Sequence, residues 1–324
     1  MVTIIKSNRH ICFDNPQNTI VMHKLILTSA LVILSYVNSH AQDFQGMAVY
    51  ESKTSTADFK NRFQGNKDIT PEMQKNMEER MKKMFEKTYI LNFNKTASIY
   101  KEEEKLEAPG QSGGGFRMMS SMMGGGGTYY KDIKTKMYTV DKEFMGKEFL
   151  IKDSLVKLTW KMESETKQIG GYNCYKATAV MPISKSDFKN YRPKKEVKTE
   201  DKKEEPKTEE GAKKTSFLDE IDIPKEVTVT AWYAPEIPVS QGPDNYWGLP
   251  GLILEVNDGK TVILCSKIVL NSKEKVEIKA STNGKVINQK DYDKTVVDKM
   301  EEFRQMNQGQ NRGGNGGGMR FGGH

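Results

Sequence analysis

The chain has 324 residues, with 50 Lys and Arg against 43 Asp and Glu for a net charge of +7, and 9% aromatic residues. The charges are interspersed rather than blocked, so no nucleic-acid footprint is implied. Of the four histidines, His10, His23 and His40 precede residue 42 and His324 ends a glycine-rich tail, which leaves no fixed imidazole for a Ser-His-Asp or Cys-His site or for a histidine-based zinc site.

Residues 22–41 read as a signal peptide: Lys24 gives a positive start, residues 25–37 an apolar core, and Ser39-His40-Ala41 a small-residue cleavage site before Gln42. That core is too short for a stable membrane anchor. Residues 1–21 fit no export signal and read as a mis-called extension with Met22 as the true start; a genuine extension is the alternative. No cysteine follows the cleavage site, so lipoprotein anchoring is not indicated. Without residues 1–41, which hold three Lys or Arg and one Asp, the net charge is +5.

Residues 42–306 read as one β-rich domain with flexible insertions at 107–127 and 185–216, followed by a glycine-rich tail at 307–324. Residues 47–54 alternate as a first strand. Thr70-Pro71-Glu72 then opens a helix with a hydroxyl cap, proline at the first position and an early acid. Its apolar stripe is Met73, Met77, Met81, Met84 and Phe85, which reads as a face packed on a sheet or, alternatively, as a thioether ladder for a soft metal. Residues 88–94 and 97–101 form a strand pair with Tyr89, Leu91 and Phe93 on one face.

The loop 109–127 surrounds Met118, Met119, Met122 and Met123 with glycines, which are entropically expensive to order. It reads as a hairpin insertion, with a membrane- or partner-touching tip or transient Cu(I) capture as alternatives. Four strands are predicted at 129–132, 136–141, 148–151 and 156–161, and another at 172–181, an antiparallel meander by its turn spacing. Residues 194–214 hold eight lysines, seven acids and no aromatic, a composition that cannot offset its ordering cost. Residues 226–233 form a strand with Val227, Val229, Ala231 and Tyr233 on one face. A further strand is predicted at 275–280, and Tyr292, Val296, Met300 and Phe303 mark a final amphipathic helix.

The most informative stretch is 231–270. Gly248-Leu249-Pro250-Gly251 predicts a type II turn, with Pro250 pre-setting φ and Gly251 supplying a positive φ. Asp258 and Gly259 are the predicted two-residue hairpin loop. That register pairs Val256 with Thr261, Leu254 with Ile263 and Leu252 with Cys265 on one buried face. With its flanks Trp232-Tyr233, Glu236-Ile237-Pro238, Gly242-Pro243 and Tyr246-Trp247, and weakly Ile169-Gly170-Gly171-Tyr172-Asn173-Cys174, the hexapeptide Gly248 to Ile253 resembles the GLPGLI family. The resemblance implies a secreted protein of Bacteroidota-type bacteria and carries no biochemical function. The layout of strand, Trp-Tyr, loop, hexapeptide and strand is also similar to periplasmic half-barrels of the lipoprotein-carrier type.

The expected fold is mainly β: about ten strands in a curved antiparallel sheet or half-barrel with two packed amphipathic helices. The expected function is an exported cell-envelope binding or accessory protein, in the periplasm, secreted, or peripheral at the outer membrane. Its concave sheet would hold an apolar ligand or partner segment, with Trp232, Tyr233, Tyr246 and Trp247 lining the mouth; these aromatics capping the core is the alternative. Copper handling through the methionines, or a carboxylate-based hydrolase using residues such as Glu236, Asp244 and Glu255, are the other readings. The sequence assigns no catalytic residue, cofactor or oligomeric state. Cys174 and Cys265 are read as two buried free thiols, with a disulfide as the minority reading.

Overall fold

The computed structural model describes residues 44–57, 70–103, 127–187, 192–193, 221–222, 224–272 and 275–312. The chain divides into two units, Met1–Phe44 and Gln45–His324, and only Phe44 of the first is among the described residues. The expected signal peptide and the segment before it, the methionine cluster 118–123, the charged run 194–214 and the tail after residue 312 lie outside the described residues.

The strands in chain order are β1 (Gln45–Thr54), β2 (Glu86–Asn94), β3 (Ala97–Glu102), β4 (Thr128–Asp132), β5 (Met137–Phe144), β6 (Lys147–Ser154), β7 (Lys161–Ile169), β8 (Tyr172–Pro182), β9 (Arg192–Pro193), β10 (Ile221–Asp222), β11 (Glu226–Ala234), β12 (Leu252–Asn257), β13 (Thr261–Leu270) and β14 (Lys285–Ile287). The helices are α1 (Pro71–Phe85) and α2 (Gln289–Arg312). Twelve strands make one sheet in the order β14-β6-β5-β4-β3-β2-β1-β13-β12-β11-β8-β7, and β9 pairs with β10 separately. All pairs are antiparallel except β14 with β6. The fold is therefore mainly β with two helices, as expected, while the strand count and the all-antiparallel expectation are corrected.

Two predicted strands are displaced, the first for a clear cause. The predicted strand at 156–161 is a connection, and the strand lies after it, as β7, in KMESETKQI. This is a sheet edge with mostly exposed side chains, so it lacks the apolar alternation that announces a half-buried strand. The predicted strand at 275–280 is also irregular, and the short β14 pairs farther on.

The connection from Ser154 to Lys161 bears on sheet shape. Nine strands separate β6 from β7 in the order, on the order of 48 Å across a flat sheet at ordinary strand spacing. Seven extended links reach only about 25 Å. The sheet must therefore curve enough to bring β6 and β7 within that reach.

One face of the sheet is the inner, buried one. Ala48 and Tyr50 of β1, Leu91 and Phe93 of β2, Val140 of β5, Ile151 of β6, and Leu252, Leu254 and Val256 of β12 are all buried. The two helices differ in how they join it. In α2, Tyr292, Val296 and Met300 pack with Tyr138, Val140, Phe144, Phe149, Ile151 and Leu155, whereas Phe303 is exposed. Helix α1 is capped by the Thr70 hydroxyl, which accepts from the Met73 amide at 3.2 Å. It buries only its last turn, Met81, Met84 and Phe85; Met73 is exposed, so the five-residue stripe is shortened to its end. Helix α2 also runs to Arg312, past the expected start of the tail.

The hairpin and the hexapeptide turn are corrected in detail. Val256 pairs with Ile263 and Asn257 with Val262, a register two residues from the expected one. Asp258 leaves the loop position because its carboxylate accepts from the Lys260 and Thr261 amides, which puts Gly259 at φ +84. A shift of two preserves side-chain parity, so Thr261, Ile263 and Cys265 still share the buried face. In the hexapeptide, Gly248 has the positive φ, +95, and Gly251 does not. Gly251 is required for another reason: a Cβ there would lie 2.6 Å from the Ala234 carbonyl carbon and 2.8 Å from the Pro235 nitrogen.

Candidate functional site

The β11–β12 connection, residues 235–251, folds back over the inner face as a plug. Ile237, Val239, Gln241, Tyr246 and Leu249 are buried in it. Its backbone is held by bonds such as Leu252 N to Ile237 O and Ile253 N to Gln241 O, both 3.0 Å, and Gly248 N to Ser240 O at 3.2 Å. Side chains of the sheet reach up to it. Ser98 donates to Gln241 Oε1 at 2.9 Å, and just past the plug Tyr50 donates its hydroxyl to the Ile253 carbonyl of β12 at 2.7 Å.

The strongest tie is Lys131, the penultimate residue of β4 and only 1% exposed. Its Nζ donates to the carbonyls of Gly242, Asp244 and Tyr246 at 2.9, 2.8 and 2.9 Å. Burial pulls its pKa down to about 7, with Asp244 acting in the opposite direction. Three carbonyl acceptors call for three N–H donors, which only the ammonium form has. Hydrogen bonding therefore holds the proton that desolvation works to remove.

Two tryptophans stitch the far end of the plug to the β6–β7 connection. The Trp160 indole donates to the Trp247 carbonyl at 2.9 Å, and the Trp247 indole donates to the Val156 carbonyl at 3.0 Å.

Beside the plug, the inner face carries a row of tyrosines on five adjacent strands: Tyr50, Tyr89, Tyr100, Tyr129 and Tyr138. Tyr50 is paired with Tyr89 and Tyr100 with Tyr129 in the ladder. Tyr89 and Tyr100 stack at 4.7 Å, and Tyr129 and Tyr138 stack at 5.2 Å. Tyr89, Tyr100, Tyr129 and Tyr138 line a cavity of about 240 Å³. Its other walls include Asp244 and Asn245 of the plug, residues 181–184, Ser186 and Asp187 after β8, Lys142 and Gln289. Gln289 accepts from the Tyr138 hydroxyl at 3.0 Å and donates to Asp293 at 2.7 Å.

The Tyr100 hydroxyl has no partner. With Gln241 Nε2 it is one of two buried side-chain polar atoms left unpaired among the described residues. Burial and then the charge of Asp244 push its phenol well above the ordinary tyrosine range. The same two causes, in the same order, act on Tyr129 and on Tyr246. Asp244 itself sits at φ +49, in the left-handed region that non-glycine residues seldom adopt.

The aromatic residues expected at the mouth are not gathered at this cavity. Trp232 lies half-buried under the Lys167 ammonium, 4.3 Å from its ring centroid. Tyr233 is buried, and its hydroxyl faces the Met162 sulfur at 3.5 Å. Tyr246 is buried in the plug and Trp247 packs at the edge of the α2 cluster. The carboxylates also part company: Glu236 accepts from the Asn173 amide at 3.0 Å, Glu255 pairs with Lys167 at 2.6 Å, and Asp244 alone reaches the cavity. Pro250 is exposed at the turn.

Cys174 on β8 and Cys265 on β13 are both buried and unbonded. Strands β11 and β12 lie between them, a separation of about 14 Å in the sheet that a disulfide cannot span. Burial pushes the thiols up to about 11 and about 12 respectively. Lys131, Trp160 and Tyr100 are absent from the sequence-based site. For Lys131 the signal was parity, since alternation along β4 puts it on the face of Tyr129; Trp160, outside any strand, had none of this kind.

A family model described as a protein of unknown function, Porph_ging, matches residues 160–255, which run from Trp160 through the plug to Glu255. No curated protein matches the chain. Two solved structures are similar in part, PNGF-II in C2 and in P21 space groups. They share 13% and 14% identity with TM-scores of 0.41, over 78% of this chain and 32% and 33% of theirs. The chain thus spans about a third of the structures it matches, a likeness too slight to bear on fold or function. Among the described residues, no helix is long and apolar enough to cross a membrane.

Proposed function

We propose that the protein is an exported, cell-envelope binding protein whose ligand seat is the tyrosine-lined cavity between the plug, the sheet and the segment after β8. The observation that carries this reading is the unpartnered buried hydroxyl of Tyr100, a residue that lines that cavity. A buried hydroxyl without a partner costs roughly 1–3 kcal/mol, a cost that a ligand meeting it would remove. The walls combine aromatic faces with carboxylate, amide and hydroxyl groups, which favours a ligand with polar groups over the wholly apolar one the sequence suggested. Export rests on the features of residues 22–41.

The test is native mass spectrometry of protein purified gently from its own host, wild type beside Tyr100→Phe. A bound small molecule that is retained by the wild type and depleted in the variant is expected. Equal retention in both, or no bound molecule together with no hit from a broad metabolite screen, would overturn the assignment. Peptide mapping of the same sample is expected to find Gln42 as the first residue.

A further inference from the structure

The chemistry of the cavity narrows the class of ligand. Two stacked tyrosine pairs present π-faces and phenol oxygens on neighbouring strands. Among the described residues, the charged groups of the lining are Asp187 and Asp244 against Lys142. Lys142 holds its ammonium 5.9 Å from the Tyr292 ring centroid, on the α2 side. Lys131 spends its donors on three plug carbonyls, and its ammonium stands 5.9 Å from the Tyr129 ring centroid, so the room for a further cation lies on the Asp187 and Asp244 side. The charge of Asp244 is felt at Tyr100, Tyr129 and Tyr246, each of which it makes harder to ionise. A cation is favoured over aromatic faces, and more so where water is excluded and a carboxylate stands near.

We infer that the cavity is a cation seat: it takes an ammonium or guanidinium group between the Tyr89–Tyr100 and Tyr129–Tyr138 pairs, with Asp244 as counter-charge and the Tyr100 oxygen as hydrogen-bond acceptor. The group belongs either to a small amine or to the end of a lysine or arginine side chain. The inference rests on the reading of the cavity as a ligand seat.

The experiment is calorimetric titration of the full chain with agmatine, choline and tetramethylammonium, with the peptide Gly-Lys-Gly as the side-chain arm, and with glucose and benzoate as neutral and anionic controls. Two variants accompany it. Asp244→Asn keeps a residue type tolerant of the left-handed backbone, and Tyr100→Phe removes one oxygen from a buried ring. Folding of both is checked by thermal unfolding. The expected result is binding by at least one cation and by neither control. Asp244→Asn should weaken that binding at least tenfold and Tyr100→Phe severalfold. Tighter binding of Gly-Lys-Gly than of the free amines would assign the seat to a protein side chain, and the reverse order to a small metabolite. Binding of glucose or benzoate but of no cation would overturn the cation seat and leave the ligand-binding reading standing. Cation binding untouched by either variant would also overturn it. No binding by any compound, together with an empty protein from the native host, would overturn both.

Discussion

The inner face of the sheet is covered in two ways. Over β12, β13 and β1 the face is filled: Leu249 of the plug and Leu252 and Leu254 of β12 are fully buried, Tyr50 of β1 holds the Ile253 carbonyl of β12, and Lys131 of β4 and Ser98 of β3 reach across to tie down the plug's backbone and Gln241. Over β2 to β5 the same face is roofed but not filled, and a tyrosine hydroxyl is left without a partner. The first region invests in apolar contact and satisfied carbonyls, which is what stability requires. Each region departs from that rule at one atom, Gln241 Nε2 in the plug and the Tyr100 hydroxyl beside the cavity, but only Tyr100 is a residue that lines open space, and departures of this kind concentrate where a protein does something besides fold.

The contrast can be broken most violently at Gly251. A valine there would drive its Cβ into the Ala234–Pro235 peptide, and since backbone cannot move aside, a loss of about 4 kcal/mol or outright unfolding is expected. Denaturant unfolding reads it, and a midpoint like the parent's would show that the plug is not pressed onto β11.

Lys131→Met comes next. It strands three carbonyls at about 1 kcal/mol each while sparing the burial of a charge, for a net loss of about 2 kcal/mol. The pH dependence has a definite sign. Because burial lowers the folded pKa to about 7, the unfolded chain binds more protons between about pH 7 and the ordinary lysine value of about 10.4. Wild-type stability should therefore rise with pH through that window relative to the variant. Unfolding curves at pH 7, 8 and 9 for both proteins decide it; a constant difference would mean that Lys131 keeps its ordinary pKa.

Gly259→Ala probes the edge of the filled region. With open space around it but φ at +84, the cost should be about 1 kcal/mol, purely conformational. Tyr100→Phe should have the opposite sign in the ligand-free protein, a gain of about 1 kcal/mol from removing an unpaired buried hydroxyl. A loss of stability there would reveal a hidden partner and erase the distinction between the two regions. The smallest effect is on the thiols: Cys174 and Cys265 should resist a thiol reagent in the native protein at neutral pH and react fully once unfolded, since burial holds both protonated.

Much of the filled region was legible beforehand. Leu252, Leu254, Val256, Ile263 and Cys265 announce their shared face by alternation, and a two-residue error in register left that face intact because two is the period of a strand. The turn chemistry was less legible, because Gly248 and Gly251 are the same residue used for different reasons, one for its φ and the other for its missing Cβ. The open region was nearly silent. Lys131 sits in Thr-Tyr-Tyr-Lys-Asp, where a lysine ordinarily marks the solvent side, and only the plug's three carbonyls make its burial tolerable. The tyrosine row is spread over five strands, so no local window contains it. Trp160 was taken for a strand residue, whereas its role comes from a crossover that exists only once the sheet has curved.

The place of β1 in the middle of the sheet has a consequence in time. Tyr50 meets Tyr89 on one side and Cys265 on the other, so one edge of β1 is completed by nearby chain and the other waits for nearly everything that follows. The β1–β6 meander can assemble early from local pairings, but it presents an open strand edge until residues 261–270 arrive. Whether that edge meets residues 261–270 before it meets another chain governs whether the protein folds or aggregates.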